Sequence, residues 1–281
     1  MSKIDIYEEV TAQIVSALEA GVAPWVKPWK DGAQPDLPYN ASSGREYNGI
    51  NQILLGMQAY SSNGWLTFKQ AKDLGGSIRK GEKSTIVVYW QFLRQGEDGD
   101  VRTIPLIKAY RVFNLDQCEG IDESKLKRHV PAQAGEGGFN AVARDAGAIV
   151  NHGGSKAFYN PSSDHIVVPS IDVFTSASAY EATLAHELVH WTGHKSRCNR
   201  EFGKRFGNEA YAFEELVAEI GAAFACARLG VEQEGLQHAE YVSAWLKVLK
   251  DDKRAIFTAA SKARDAVNFL FAERIEDKVA A

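Results

Sequence analysis

The chain has 281 residues, 45% of them hydrophobic and 24% charged, which suits one large globular domain or two ordinary ones. No apolar run approaches the roughly 18 residues of a membrane span, and the N-terminus, M-S-K-I-D-I-Y-E-E-V, lacks the apolar stretch of a signal peptide. Three scattered cysteines (Cys118, Cys198, Cys226) make neither a disulfide framework nor a cysteine zinc site, so a cytoplasmic protein is expected.

The net charge of −4 argues against a generally basic nucleic-acid binder, but it is unevenly spread. Residues 1–115 hold 13 Lys and Arg against 12 Asp and Glu, whereas the remainder holds 19 against 24. Any polyanion site is therefore expected in the first half.

In chain order, Ile6, Val10, Ile14 and Leu18 predict an amphipathic helix over 4–20, stopped by Gly21. A-P-W-V-K-P-W-K, residues 23–30, cannot be helical and reads as an ordered loop or arm. Short helices are expected over 50–60 and 67–74, the second capped by Thr67 and ended by Gly75-Gly76. A strand within 75–93 pairs with 102–112 across a turn at Asp98-Gly99. Residues 116–137, charged and then glycine-rich, read as a linker with a domain boundary near 130. Past it come a helix over 139–151 and a hairpin around Asn160-Pro161-Ser162-Ser163, with His165–Pro169 as an edge strand able to pair with an extended peptide. Helices over 181–193 and 209–229 follow, with closing helices over 238–249 and 252–273. The fold class is α+β: a small α+β unit (1–130) and a mainly helical unit (131–281) with a short hairpin.

Chemistry concentrates in E-A-T-L-A-H-E-L-V-H-W-T-G-H, residues 181–194. On a helix, His186 and His190 share a face and bring two imidazoles to one metal ion, while Glu187 reaches a metal-bound water. Gly193 is expected to end this helix in the left-handed conformation. Two imidazoles do not hold a catalytic zinc, so a third ligand is required. The metzincin extension fails because its last histidine would fall on Ser196. In the following helix Glu215 and Glu219 lie four apart on one face, whereas Glu214 has Ala218 at that spacing. This looks like the gluzincin pattern, with Glu215 as ligand and Glu219 supporting a ligand histidine from behind. His194 is the alternative ligand, and Tyr211, one turn before Glu215, is a candidate oxyanion donor. Zn2+ is the expected metal, with another divalent transition metal as the alternative.

Single-stranded nucleic acid is held by aromatic faces and by cations that track phosphates. The first half interleaves both: Trp25, Lys27, Trp29, Lys30, Arg45, Tyr47, Trp65, Lys69, Lys72, Arg79, Lys80 and Lys83. The opposing interpretation is that the tryptophans fill a core and the lysines are simply solvated.

Six motifs in order carry a resemblance: P-W-V-K-P-W, G-R-E-Y-N-G-I-N, W-L-T-F-K-Q-A and K-G-E-K, then H-E-L-V-H-W-T-G-H and E-E-L-V-A-E-I-G-A-A-F. Together they make the chain similar, over nearly its whole length, to the plasmid-borne ArdC antirestriction proteins. The resemblance implies a domain that binds single-stranded DNA joined to a zincin-like metallopeptidase domain, protecting incoming plasmid DNA from host restriction during conjugation. It implies His186, His190 and Glu215 as metal residues and Glu187 as general base, and it fixes no DNA-contacting residue. The peptide substrate expected on this basis is a host DNA-associated or restriction protein. Two alternatives stay open: a protein that shields DNA by occupying it, its metal only structural, and a peptidase with no DNA role.

Overall fold

The computed structural model describes residues 5–26, 37–95, 102–127, 137–202, 209–232 and 241–279. Lys27, Trp29, Lys30 and the turn at Asp98-Gly99 lie outside these residues. The first helix, α1 (Ile6–Glu19), starts where the Asp5 side chain accepts from Tyr7 N at 3.0 Å and buries Val10, Ile14 and Leu18 at helical spacing. Next come β1 (Tyr39–Asn40), α2 (Ile50–Gly56), β2 (Gly64–Thr67) and α3 (Phe68–Asp73). Thr67 and Gln70 close a reciprocal capping box on α3, so the expected cap stands. After β3 (Ser77–Ile78), the long strands β4 (Thr85–Gln95) and β5 (Arg102–Asn114) form the expected hairpin, and the sheet order is β1-β2-β5-β4.

Alternation splits this hairpin into two faces. Ile86, Val88 and Trp90 turn toward the main core with Ile107. Val87 and Val112 turn the other way, toward Trp65 and Leu55. Farther along that second face Tyr89 and Tyr110 stand exposed, edge to face at 6.4 Å. Residues 116–127, inside the stretch expected to be a linker, are bound to the first half. The strand β6 (Cys118–Glu119) pairs with β3, Asp122 N donates to Leu74 O, and Lys127 N donates to Ala41 O.

In the second half the helix expected over 139–151 is shorter. It runs as α4 (Gly138–Ala146) and stops at Gly147, whose φ of +80° suits glycine. The chain then re-forms as β7 (Ile149–His152), which pairs in parallel with β9 (His165–Val168); β8 (Phe158–Asn160) pairs antiparallel on the other side. This corrects one expectation: β9 is the middle strand of three, because β7 takes the side expected to be free. Among the described strands, the edges of this sheet are β7 and β8.

The helices α5 (Ala177–Thr192), α6 (Glu209–Leu229), α7 (Val242–Asp251) and α8 (Ala255–Val279) complete the fold. Their apolar faces share one core with α1, α2 and the inner face of β4: Val10, Ile14, Ile53 and Val88 belong to the same cluster as Leu184, Leu216, Trp245 and Ile256. Polar ties reinforce the join, as Thr11 Oγ1 donates to Lys253 O at 2.7 Å and Lys250 meets Glu19 at 2.7 Å. No described helix is long and apolar enough to cross a membrane.

Candidate metal centre

The centre is built where α5 and α6 press together. Ser176 caps α5, its hydroxyl accepting from Ala179 N at 3.0 Å. A glycine permits the approach. A Cβ on Gly221 of α6 would stand 2.8 Å from both γ-methyls of Val189, inside contact distance. Overpacking of this kind costs about 1–3 kcal/mol, more than the up to about 1 kcal/mol that alanine restores in helix propensity. Gly221→Ala is therefore expected to lower the melting temperature and weaken metal binding together; a rise in melting temperature would contradict this account of the interface. Gly193 makes room for the segment that follows α5, and here the expectation is corrected. Its φ is −70°, right-handed, and what demands glycine is the crowd around it: a Cβ would lie 2.6 Å from Phe202 Cζ and 2.9 Å from Arg200 Nη2.

One ligand atom each from His186, His190 and Glu215 falls within 4.8 Å of the others. The two Nε2 atoms are 3.0 Å apart, and each lies 3.5 Å from a different oxygen of Glu215. All three side chains are nearly buried. Three polar groups turned lone pair to lone pair in the interior are costly unless a cation sits among them. Two imidazoles and a carboxylate are borderline donors of the kind that take first-row divalent ions.

The opposite ring nitrogens are held as well. Nδ1 of His186 lies 3.5 Å from Glu219, and Nδ1 of His190 lies 3.3 Å from Glu214. A carboxylate on Nδ1 keeps the proton there and leaves the Nε2 lone pair toward the centre. Burial, the largest single influence, would lower both histidines, but Glu215 with Glu219 and Glu187 together outweigh it at His186, and Glu214 with Glu215 at His190, whose pKa rises to about 10. Burial would raise the Glu215 carboxyl; its hydrogen bonds to the two imidazoles instead hold it below the usual range.

Glu214 and Arg200 are the residues that sequence reasoning missed. The Arg200 guanidinium reaches Glu214 through Nε at 3.0 Å and Nη2 at 2.8 Å, and also donates to Thr192 Oγ1 and Val189 O. It thus ties the carboxylate behind His190 to the end of α5. The signal was the Glu-Glu doublet: adjacent residues sit about 100° apart on a helix, so one acid can meet the metal while its neighbour backs the second histidine. Glu187 is buried beside His186, whose protonated form its charge favours. His194 lies outside the ligand set, its Nδ1 occupied by the Ser196 hydroxyl at 2.8 Å and backbone N–H at 3.2 Å. Tyr211 meets Tyr241 hydroxyl to hydroxyl at 3.4 Å, and burial, then that contact and Glu215, push its phenol up, so it stays a proton donor. The β8–β9 hairpin is clamped to the end of α5 by Arg197, which lies 3.8 Å over the Trp191 ring and donates to both oxygens of Asp164. That hydrogen bonding holds the Asp164 carboxyl down at about 2.

The residues proposed for DNA separate. Trp25 is buried edge to face on Trp245 at 5.6 Å, and Trp65 is buried against Tyr60, so neither indole is open to a base. Tyr47 is half-buried, with its hydroxyl 3.5 Å from Asn40 Nδ2. Arg45, Lys69, Lys72, Arg79, Lys80 and Lys83 are exposed, Arg79 paired with Glu82 at 2.8 Å.

Comparison with known proteins agrees with this architecture. Residues 4–113 match the N-terminal domain of anti-restriction factor ArdC, and residues 138–262 match a zincin-like metallopeptidase. The uncharacterized protein y4eC of Sinorhizobium fredii is 37% identical over 285 residues, covering 96% of this chain and 92% of that one. Two DNA primases TraC of Escherichia coli are 37% and 36% identical over 96% of this chain, which spans only 20% and 27% of their length. The antirestriction ArdC protein from the R388 plasmid, in its metal-free structure, is 41% identical with a TM-score of 0.82, covering 97% of this chain and 99% of that one. Its Mn(II)-bound structure gives 42% and 0.80, covering 96% and 98%. With a divalent-metal site of two histidines and a glutamate on a zincin-like domain, and relatives matched from end to end, the chain belongs to the ArdC family of antirestriction proteins.

Proposed function

We propose that this protein binds single-stranded DNA through its first half (1–130) and hydrolyses peptide bonds at a zinc site in its second (131–281), so protecting plasmid DNA entering by conjugation from host restriction. One observation carries the catalytic part: His186, His190 and Glu215 converge, with Glu187 beside them and a carboxylate behind each imidazole. A zinc ion held by His186, His190 and Glu215 would supply Lewis acidity for a water and for the scissile carbonyl. Glu187 is the residue placed to take a proton from the attacking water and to return it to the leaving amine. Glu219 and Glu214 keep the imidazoles oriented, and the Tyr211 phenol donates to the oxygen on which charge develops.

The proposed substrate is a host protein that works on DNA, since a protein held on the strand meets such partners at high local concentration. Zinc-loaded full-length protein is expected to cleave a subunit of a purified host restriction complex, faster when single-stranded DNA is present. Chelation of the metal should stop the reaction and readdition should restore it. The burial of all three ligands favours a second reading, a DNA-coating protein whose metal only braces α5 against α6. Under that reading the metal-loaded protein protects DNA from the restriction complex yet cuts none of its subunits.

A further inference from the structure

A cleft of about 680 Å3 opens where the two halves meet, between the outer edge of β4, the loop leading into α2 and the first turns of α8. Nothing in the metal chemistry uses it. Its walls combine half-buried Trp90 and buried Phe257 with Arg254 and Arg264, Tyr89 stands at the rim with its ring turned to the other face of β4 beside Tyr110, and no Asp or Glu lines it. Arg254 is exposed, lies 5.1 Å over the Tyr7 ring, and pairs with no carboxylate among the described residues. Arg264 is positioned by Ser261 at 3.2 Å and Asp265 at 2.7 Å, the latter outside the lining.

The strand wall offers backbone too. Asn51, from the G-R-E-Y-N-G-I-N motif, caps β4 by donating to Val88 O and accepting from Val88 N, each at 2.8 Å. Outward-facing positions alternate along an edge strand, so Trp90 directs its N–H and C=O to the same side, into the cleft. Its neighbour Gly49 holds a φ of +59°, which a side chain would strain.

We infer that this cleft is where the protein holds unpaired nucleotides of single-stranded DNA, with one base against Trp90 inside it, the next reaching over the edge of β4 to Tyr89 on the opposite face, and phosphates on Arg254 and Arg264. This rests on the DNA-binding reading above and gives it a site. Aromatic faces with unpaired guanidinium and no acid suit a polyanion that also stacks. A cleft of this size encloses a small ligand, so it takes exposed bases and not a duplex. The site also explains why the candidates chosen by composition scatter: α8, from the second half, brings the cations, and β4 brings the rings. Because α8 packs on α6, bound nucleotides would lie one helix away from the Glu215 carboxylate.

Titration of fluorescein-labelled oligothymidylate with the full-length protein, followed by anisotropy, tests this. Arg254→Gln and Tyr89→Ala alter exposed side chains and should leave the melting temperature unchanged. Each is expected to weaken binding by about tenfold, as loss of one stacked base or one phosphate contact does. Arg254→Gln should also reduce the slope of log K against log salt by about 0.7, while Tyr89→Ala leaves it unchanged. If wild type binds and both variants bind equally well, the cleft is not the site, although the DNA-binding reading survives. If wild type retains no oligonucleotide, that reading fails and the cleft assignment with it. Equal binding of a thymidylate–adenylate duplex would likewise overturn the assignment.

Discussion

Replacing Glu187 with glutamine is expected to lower peptide hydrolysis by about 10²–10⁴-fold, the usual contribution of a positioned general base. Metal content should stay near one equivalent, because Glu187 is outside the His186–His190–Glu215 set. Glutamine keeps the shape and removes only the basicity of a buried side chain, so the melting temperature should move little. Turnover measured on a substrate cleaved by the wild type, beside metal analysis of the same preparation, separates the outcomes. Undiminished turnover would remove Glu187 from the chemistry; lost metal would mean it supports the centre. The same variant divides the biological readings: if it still protects DNA from restriction in full, hydrolysis is dispensable for that role.

The second large effect is structural. In Arg200→Ala the carboxylate of Glu214 remains buried with its main cationic partner gone, since Arg200 and Glu214 side chains are only 2% and 5% exposed. Removing one member of a buried ion pair costs about 3–5 kcal/mol, which for a chain of this size lowers the melting temperature by roughly 10 °C. Glu214, which supports His190 at Nδ1, also loses the guanidinium that anchors it, so metal affinity should fall, by up to about 10–100-fold. Calorimetry and a competitive metal titration check the two effects separately. Adding Glu214→Gln should recover part of the stability, because the stranded charge is then neutral, but not the affinity. A loss under 1 kcal/mol in Arg200→Ala would refute the role assigned to this pair.

How far the sequence foretold these features follows from which relations are local. His186, Glu187 and His190 were legible because helical periodicity alone puts them side by side, and Glu215 with Glu219 by the same rule one helix later. Glu214 is not marked by spacing, because its i+4 neighbour is Ala218 and its partner His190 lies across the helix interface in α5. Arg200 comes from the turn after α5, where no periodicity marks a side chain as buried. Trp25 and Trp65 show the converse error: lysines nearby in sequence say nothing about which way an indole points, and both point inward. The exposure of Tyr89 and Tyr110 is not legible because T-I-V-V-Y-W in β4 has too few polar residues to reveal its alternation. The helix expected over 139–151 overruns because Ala148, Ile149 and Val150 prolong the apolar pattern past Gly147, and β9 reads as an edge because nothing local marks Ile149–His152 as a strand.

The core that Val10, Ile14, Ile53 and Val88 share with Leu184, Leu216 and Ile256 carries a consequence for how such a chain is inherited. Neither half keeps a closed apolar interior when severed from the other, so recombination that moved one without its mate would strand greasy surface in water. The architecture favours transfer of the pair as a single cassette, and the span shared with the far longer TraC primases, 96% of this chain within about a fifth to a quarter of theirs, has the form such a cassette would leave.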